Sequence, residues 1–220
     1  MFIPREPVLE SQFCHYGTQT ANTQGIGGVI AYAGSVVYLD SAASNEEALI
    51  YRYNNHASVA GLTASEKLPY GFLLQKVKTG YHDVHPTGFY MPGDLGSSDV
   101  IAQPTYDGSG NINGSKAAPA GVGHLGIYDT VHYTAEASAD LLPGDVLYVA
   151  SKRDADATGG KLTNSTTDSA TDATDVQGVR LALAGTPPTV ARVLKGASAV
   201  KAAANIANTT LYPIRVKLLV

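Results

Sequence analysis

Two histidines and an aspartate within four residues, His82-Asp83-Val84-His85, come closest in this sequence to a metal or catalytic centre, because imidazole nitrogens and a carboxylate ligate zinc when they converge. Their spacing works against convergence. Along a strand His82 and His85 point to opposite faces, and Pro86 holds the segment extended or in a turn. The stretch is therefore read as a solvated or interface loop. His124 and His132 stand singly in β-like surroundings and are read as structural. Cys14 adjoins His15, and an imidazolium beside a thiol favours the thiolate, but neighbours in an extended segment point apart. A buried or interface thiol is expected there. Gly25-Ile26-Gly27-Gly28 lacks the Lys-Ser/Thr of a phosphate-binding loop and the spacing of a dinucleotide turn. Asp154, Asp156, Asp168, Asp172 and Asp175 lack the compact run ending in Glu that holds calcium, and Glu136, Asp140 and Asp145 show no paired-carboxylate pattern. The expectation is a non-enzyme with no catalytic residue, no metal and no cofactor.

Composition narrows the partners. The chain has 220 residues, enough to bury one large β core or two smaller ones, with 15% charged residues, 23 Gly, 13 Tyr and no Trp. That profile favours a turn-rich, all-β protein. A formal net charge of −4 gives no overall basic field for nucleic acid, and no apolar run is long enough to span a bilayer, so neither nucleic acid nor membrane is expected as a partner. The opening Met-Phe-Ile-Pro-Arg-Glu-Pro does not resemble a signal peptide, so the chain is read as made and kept in the cytosol. Three Asn-x-Ser/Thr sequons, at Asn113, Asn164 and Asn208, then carry no weight, and Cys14 alone forms no internal disulfide.

The elements that position everything else are two turn-strand signals. Pro143-Gly144 presets a turn and feeds Asp145-Val146-Leu147-Tyr148-Val149, and Gly34-Ser35-Val36-Val37-Tyr38-Leu39 matches Gly144 to Val149 position by position. Downstream, Gly61-Leu62-Thr63 and Gly71-Phe72-Leu73-Leu74 run parallel to Gly160-Lys161-Leu162-Thr163 and Gly178-Val179-Arg180-Leu181. The pattern suggests two related β units. We divide the chain into an extended arm over 1–25, a first β unit over 26–133 with long Gly/Pro-rich loops, and a second, barrel-like unit over 134–220. The arm has no helical or two-fold period, and its apolar points Phe2, Ile3, Val8, Leu9, Phe13 and Tyr16 are the expected contacts with a neighbouring subunit. Strands are expected at 29–32, 36–39, 70–77, 127–133, 179–183 and 214–220. The capping pattern Ser44-Asn45-Glu46-Glu47 predicts a helix over 45–53, and the Ala-rich stretch 197–207 predicts a second. Residues 79–131 are crowded with Gly and Pro and are read as loops forming a contact surface, with Tyr81, Phe89 and Tyr90 as loop contacts.

The run 142–149, followed by Gly160-Lys161-Leu162-Thr163, Gly178-Val179 and the terminal Ile214-Arg215-Val216-Lys217-Leu218-Leu219-Val220, resembles the small β-barrel head decoration (cement) proteins of tailed bacteriophages. The likeness covers residues 141–220, with a weaker echo at 34–77. It implies a non-enzymatic virion protein on the capsid exterior, bound across subunits of the major capsid protein, as a homo-oligomer and by family analogy a trimer. Other roles compatible with the residues are a tail or baseplate component, or a β-barrel carbohydrate-binding module that would use Tyr81, Phe89 and Tyr90 as its aromatic platform.

Overall fold

The computed structural model describes residues 2–5, 10–16, 19–20, 29–39, 49–52, 69–79, 99–102, 104–106, 108–109, 112–115, 118–135, 139–149, 160–164 and 189–220. The N-terminal segment forms β1 (Phe2–Pro4), β2 (Glu10–Tyr16) and β3 (Gln19–Thr20). Then come β4 (Val29–Ala31), β5 (Val36–Leu39), β6 (Leu49–Arg52), β7 (Pro69–Leu73) and β8 (Lys76–Thr79). The middle supplies β9 (Asp99–Ala102), β10 (Pro104–Tyr106), β11 (Ile112–Ser115), β12 (Ala118–Leu125) and β13 (Ile127–Thr130). The last elements are β14 (Val146–Val149), β15 (Leu162–Thr163), β16 (Ala191–Lys195), α1 (Ala199–Ile206) and β17 (Ile214–Leu218). Apart from α1 the described elements are all strands, so the chain is all-β.

Two sets of five strands share one plan. In the first, pairing runs β12-β2-β6-β5-β7 and returns to β12. In the second, β13-β17-β16-β14-β15 lie side by side in an open six-stranded sheet, with β1 added beyond β13. Taken in chain order, β2, β5, β6, β7 and β12 correspond to β13, β14, β15, β16 and β17. Each antiparallel pairing of the first set recurs in the second: β5 with β6 and β7, and β12 with β7 and β2, match β14 with β15 and β16, and β17 with β16 and β13. The parallel contact of Tyr16 in β2 with Ile50 in β6 has its counterpart in a parallel bridge between Tyr133 and Leu162.

The correspondence holds at the level of single hydrogen bonds. Ser35 N–H donates to the Tyr32 carbonyl and Asp145 N–H to that of Leu142, closing two turns whose glycines, Gly34 and Gly144, adopt φ of 91° and 99°. A side chain strains in that region and glycine does not. Gly34 N–H then donates to Leu73 O and Leu73 N–H to Ser35 O, as Gly144 N–H donates to Val193 O and Val193 N–H to Asp145 O. Leu73 therefore corresponds to Val193. Leu39 lies opposite Ile50 as Val149 lies opposite Leu162, so Ile50 is the counterpart of Leu162. The sequence pattern instead sets Gly61-Leu62-Thr63 against Gly160-Lys161-Leu162-Thr163 and Gly71-Phe72-Leu73-Leu74 against Gly178-Val179-Arg180-Leu181. Register assigns different partners, and residues 61–63 and 178–183 lie outside the described residues.

Several expectations are corrected. The segment read as a free arm is built into the sheets: Phe2, Ile3 and Pro4 lie opposite Thr130, Asp129 and Tyr128, and β2 runs along β12 from Tyr16 opposite Ala118 to Glu10 opposite Leu125. The units accordingly do not divide at 25/26 and 133/134, since β2 completes the first and β13 belongs to the second. The helix expected over 45–53 is replaced at 49–52 by β6, whose residues Leu-Ile-Tyr-Arg pair with both β5 and β2. Within the stretch read as loops, β12 is the strand that joins the first ring, and at its Gly123 neighbours come close. A Cβ on Gly123 would lie 2.8 Å from Leu74 Cδ2 and 3.3 Å from the Tyr128 hydroxyl. The strand expected over 70–77 is broken at Leu74-Gln75 into β7 and β8. The helix expected near 197–207 is present as α1, with Ala199 N–H donating to the Asp140 carboxylate at 2.6 Å.

Two apolar clusters follow from this plan. One lies within the first unit and holds Cys14, Ala31, Val37, Ile50, Leu73, Val77, Ala120 and Val122. The other spans both units, joining Val36, Tyr38 and Phe72 to Tyr128, Leu147, Val193, Ile214, Val216 and Leu218. β5 and β7 are buried on both faces, one towards their own unit and one towards the other.

Candidate functional site

The junction between the units is keyed by the first residues of the chain. The Phe2 ring is stacked on Tyr128, with centroids 4.3 Å apart and planes 6° from parallel, and on Phe72 at 6.0 Å. With Phe2 only 9% exposed, its ring is core rather than contact surface. Beside it, Ser35 Oγ and His132 Nε2 lie 3.0 Å apart, and the Tyr32 ring leans on the imidazole at 5.7 Å. A serine within hydrogen-bond reach of a histidine is the first half of a nucleophilic pair. Ser35, however, is fully buried, so no substrate reaches its hydroxyl and the bond acts as a tie between the first unit and the start of the second. Val36 N–H donates to Gly160 O across the same junction. Burial pushes the Tyr133 phenol up to about 12 and raises that of Tyr128, and the Tyr133 hydroxyl donates to Tyr212 O at 2.8 Å.

On the outer side of the six-stranded sheet charged residues stand among Ile3, Ile127 and Val146. Asp129, 5% exposed, accepts from Arg215 Nε at 2.8 Å and from Arg5 Nε at 2.6 Å. The Arg215 hydrogen bond, followed by that of Arg5, holds its carboxyl below the usual range against the opposing effect of burial. This carboxylate fastens β1 and β17 to β13. Register places Arg215 opposite both Asp129 and Lys195, and Lys217 opposite Arg192, so these cations share one face. Arg192, Lys195 and Lys217 are exposed, and Arg192 Nη1 donates to Gly144 O at 3.2 Å.

Of the residues expected to make contacts, Phe2 is in the core and Ile3 is half-buried opposite Asp129. Phe13 and Tyr16 stand in β2 opposite Gly121 and Ala118. Val8, Leu9, Tyr81, Phe89 and Tyr90 lie outside the described residues, as do His82, Asp83 and His85. Cys14 is buried in the first unit, and His124 is buried with the Tyr70 ring edge-on at 4.8 Å. Among the described residues no group of three His, Cys, Asp or Glu side chains could hold a metal.

What the sequence did not yield is the grouping of Arg5, Asp129, Arg192, Lys195, Arg215 and Lys217. The alternation of Ile214, Val216 and Leu218 with Arg215 and Lys217 was its one visible trace, because only strand pairing brings the others alongside. Compared with family models, with curated proteins and with solved structures, the chain matches none.

Proposed function

We propose that this chain is a virion structural protein that decorates a tailed-bacteriophage capsid from outside and stabilises it by binding across subunits of the major capsid protein, as a homo-oligomer. The observation that carries the reading is the repetition of one five-strand plan in two units fastened through a shared core. A capsid shell repeats its own surface at fixed spacing, and a body with two related units joined through one core suits contact with two neighbouring copies of that surface. Once one unit is bound, the second contact is intramolecular and raises avidity by ~10²–10⁴ without new chemistry. The residues that resemble cement proteins also belong together, since the Pro143-Gly144 turn, β14, β15 and β17 are parts of the second unit.

Cosedimentation tests the proposal. Purified chain mixed with shells assembled without it is expected to pellet with them, to saturate at a fixed ratio to the capsid subunit, and to leave free capsid subunits unbound. Failure to bind shells, together with retention on a glycan matrix, would replace the reading with a carbohydrate-binding module.

A further inference from the structure

We infer that the outer face of β16 and β17, with Arg5 beside it, is a docking surface for an acidic protein surface, a cluster of aspartate and glutamate carboxylates on a partner. Five cations meet here: Arg192 opposite Lys217, Lys195 opposite Arg215, and Arg5 joined through Asp129. Like charges directly opposite on neighbouring antiparallel strands repel. Two such pairs stand side by side, and among the described residues Asp129 is shared by Arg5 and Arg215, while Asp145 accepts from the Leu142 N–H at 2.7 Å. A face arranged against its own electrostatics is completed by carboxylates from elsewhere.

The repeat supplies a second, independent observation. Phe72 lies opposite Gly123 in the first unit, and their counterparts are Arg192 and Lys217. In the first unit this face carries Val36, Tyr38 and Phe72 into the core shared with the second unit. One copy of the face is thus already an interface, an apolar one; the other keeps Val146 and a buried Tyr148 at the positions of Val36 and Tyr38, and sets the exposed Arg192 and Lys217 where Phe72 and Gly123 stand. The same position on the same plan is used for docking within the chain in one unit and carries exposed cations in the other.

Charge distribution selects a protein over a nucleic acid. Five cations less Asp129 and Asp145 give +3, so the rest of the chain carries −7, from the formal total of −4. The four strand cations span two adjacent strands and two rows, an area about 5 Å by 7 Å from strand spacing and rise. A few clustered carboxylates match that area, whereas a long polyanion runs beyond it, past a Debye length of about 10 Å, along a chain whose remaining formal charge is −7. The inference stands whether or not the partner is a shell.

The test is a titration of the isotope-labelled full chain with an octa-aspartate peptide at 20 mM NaCl, followed by amide chemical shifts. Shifts are expected to centre on residues 192–195 and 214–217, and affinity is expected to fall at least tenfold at 200 mM NaCl. The double variant Lys195→Glu, Lys217→Glu is expected to lose binding at least tenfold while keeping its unfolding transition, because each substitution sets a carboxylate opposite an arginine. Absence of binding at 20 mM NaCl, equal binding by the double variant, shifts centred elsewhere, or tighter binding of a single-stranded oligonucleotide with the same number of charges would each overturn the assignment.

Discussion

Replacing Phe2 by alanine removes a ring held between Tyr128 and Phe72, and tests whether the first residues belong to the folded body or merely decorate it. Phe→Ala at buried sites costs about 3–5 kcal/mol, and stacked aromatic pairs add about 0.5–1.5 kcal/mol beyond area burial. Phe2 is 9% exposed rather than fully enclosed, so the lower end, about 3 kcal/mol, is expected. With a urea m-value of about 2–3 kcal/mol/M, that lowers the unfolding midpoint by about 1–1.5 M. Near-UV circular dichroism is a suitable probe because the chain has 13 tyrosines and no tryptophan, and Tyr128 loses its stacking partner directly. Arg5→Ala, which removes a half-exposed partner of Asp129, is expected to cost about 0.5–1 kcal/mol. A Phe2→Ala midpoint within about 0.3 M of the parent would refute the placement of β1 and restore the idea of a dispensable arm.

Three further outcomes follow from the same geometry. Asp129 has its pKa lowered in the folded state, so the stability it contributes is complete above the ordinary carboxyl value of 3.8 and is lost as pH falls through the lower folded value; Asp129→Asn should cost about 1.5–3 kcal/mol at pH 7 and remove that part of the acid limb in pH-dependent urea melts. Gly144→Ala should cost about 1–2 kcal/mol from backbone strain alone, since nothing lies within 4 Å of an added Cβ, whereas Gly34→Ala should cost about 1–3 kcal/mol more because its Cβ would lie 3.0 Å from Phe2 Cδ2 and Thr130 Oγ1; equal losses in thermal melts would contradict the packing described at Gly34. Lys217→Glu should raise stability by about 0.2–1 kcal/mol by converting a like-charge pair with Arg192 into an attractive one, and a fall in midpoint would argue against the register of β16 on β17.

The elements legible in the sequence are those whose signals are local. Ala33-Gly34 and Pro143-Gly144 announce turns because glycine is needed at the positive-φ position, and β5 and β14 follow as β-branched and aromatic runs. β17 shows because one face is buried and the other wet, which leaves a period of two in Ile214-Leu218. β12 was hidden because Gly123 is set by the approach of Leu74 and Tyr128, and a strand carrying Pro119, Gly121 and Gly123 looks like a loop by local composition. β2 was hidden because it has partners on both edges, β12 and β6, far along the chain. β6 was misread because Ser44-Glu47 satisfies a helix-capping pattern while Leu49–Arg52 pairs with strands from elsewhere. The repeat was visible in its turn but misaligned downstream, where shared glycines matched better than the residues that share a register. The basic face depends on pairing between positions 192, 195, 215 and 217, a relation that no spacing along the chain encodes.

Release of packaged DNA from heated particles tests the decoration proposal most directly. Particles assembled without the chain are expected to form but to release DNA at a lower temperature than complete ones, and added purified chain is expected to restore the higher temperature. Binding to the intact shell alone contributes about 2.7 kcal/mol at a hundredfold excess over Kd, which an intercalating-dye melt resolves. Release at the same temperature from bare, complete and re-decorated particles would contradict the account.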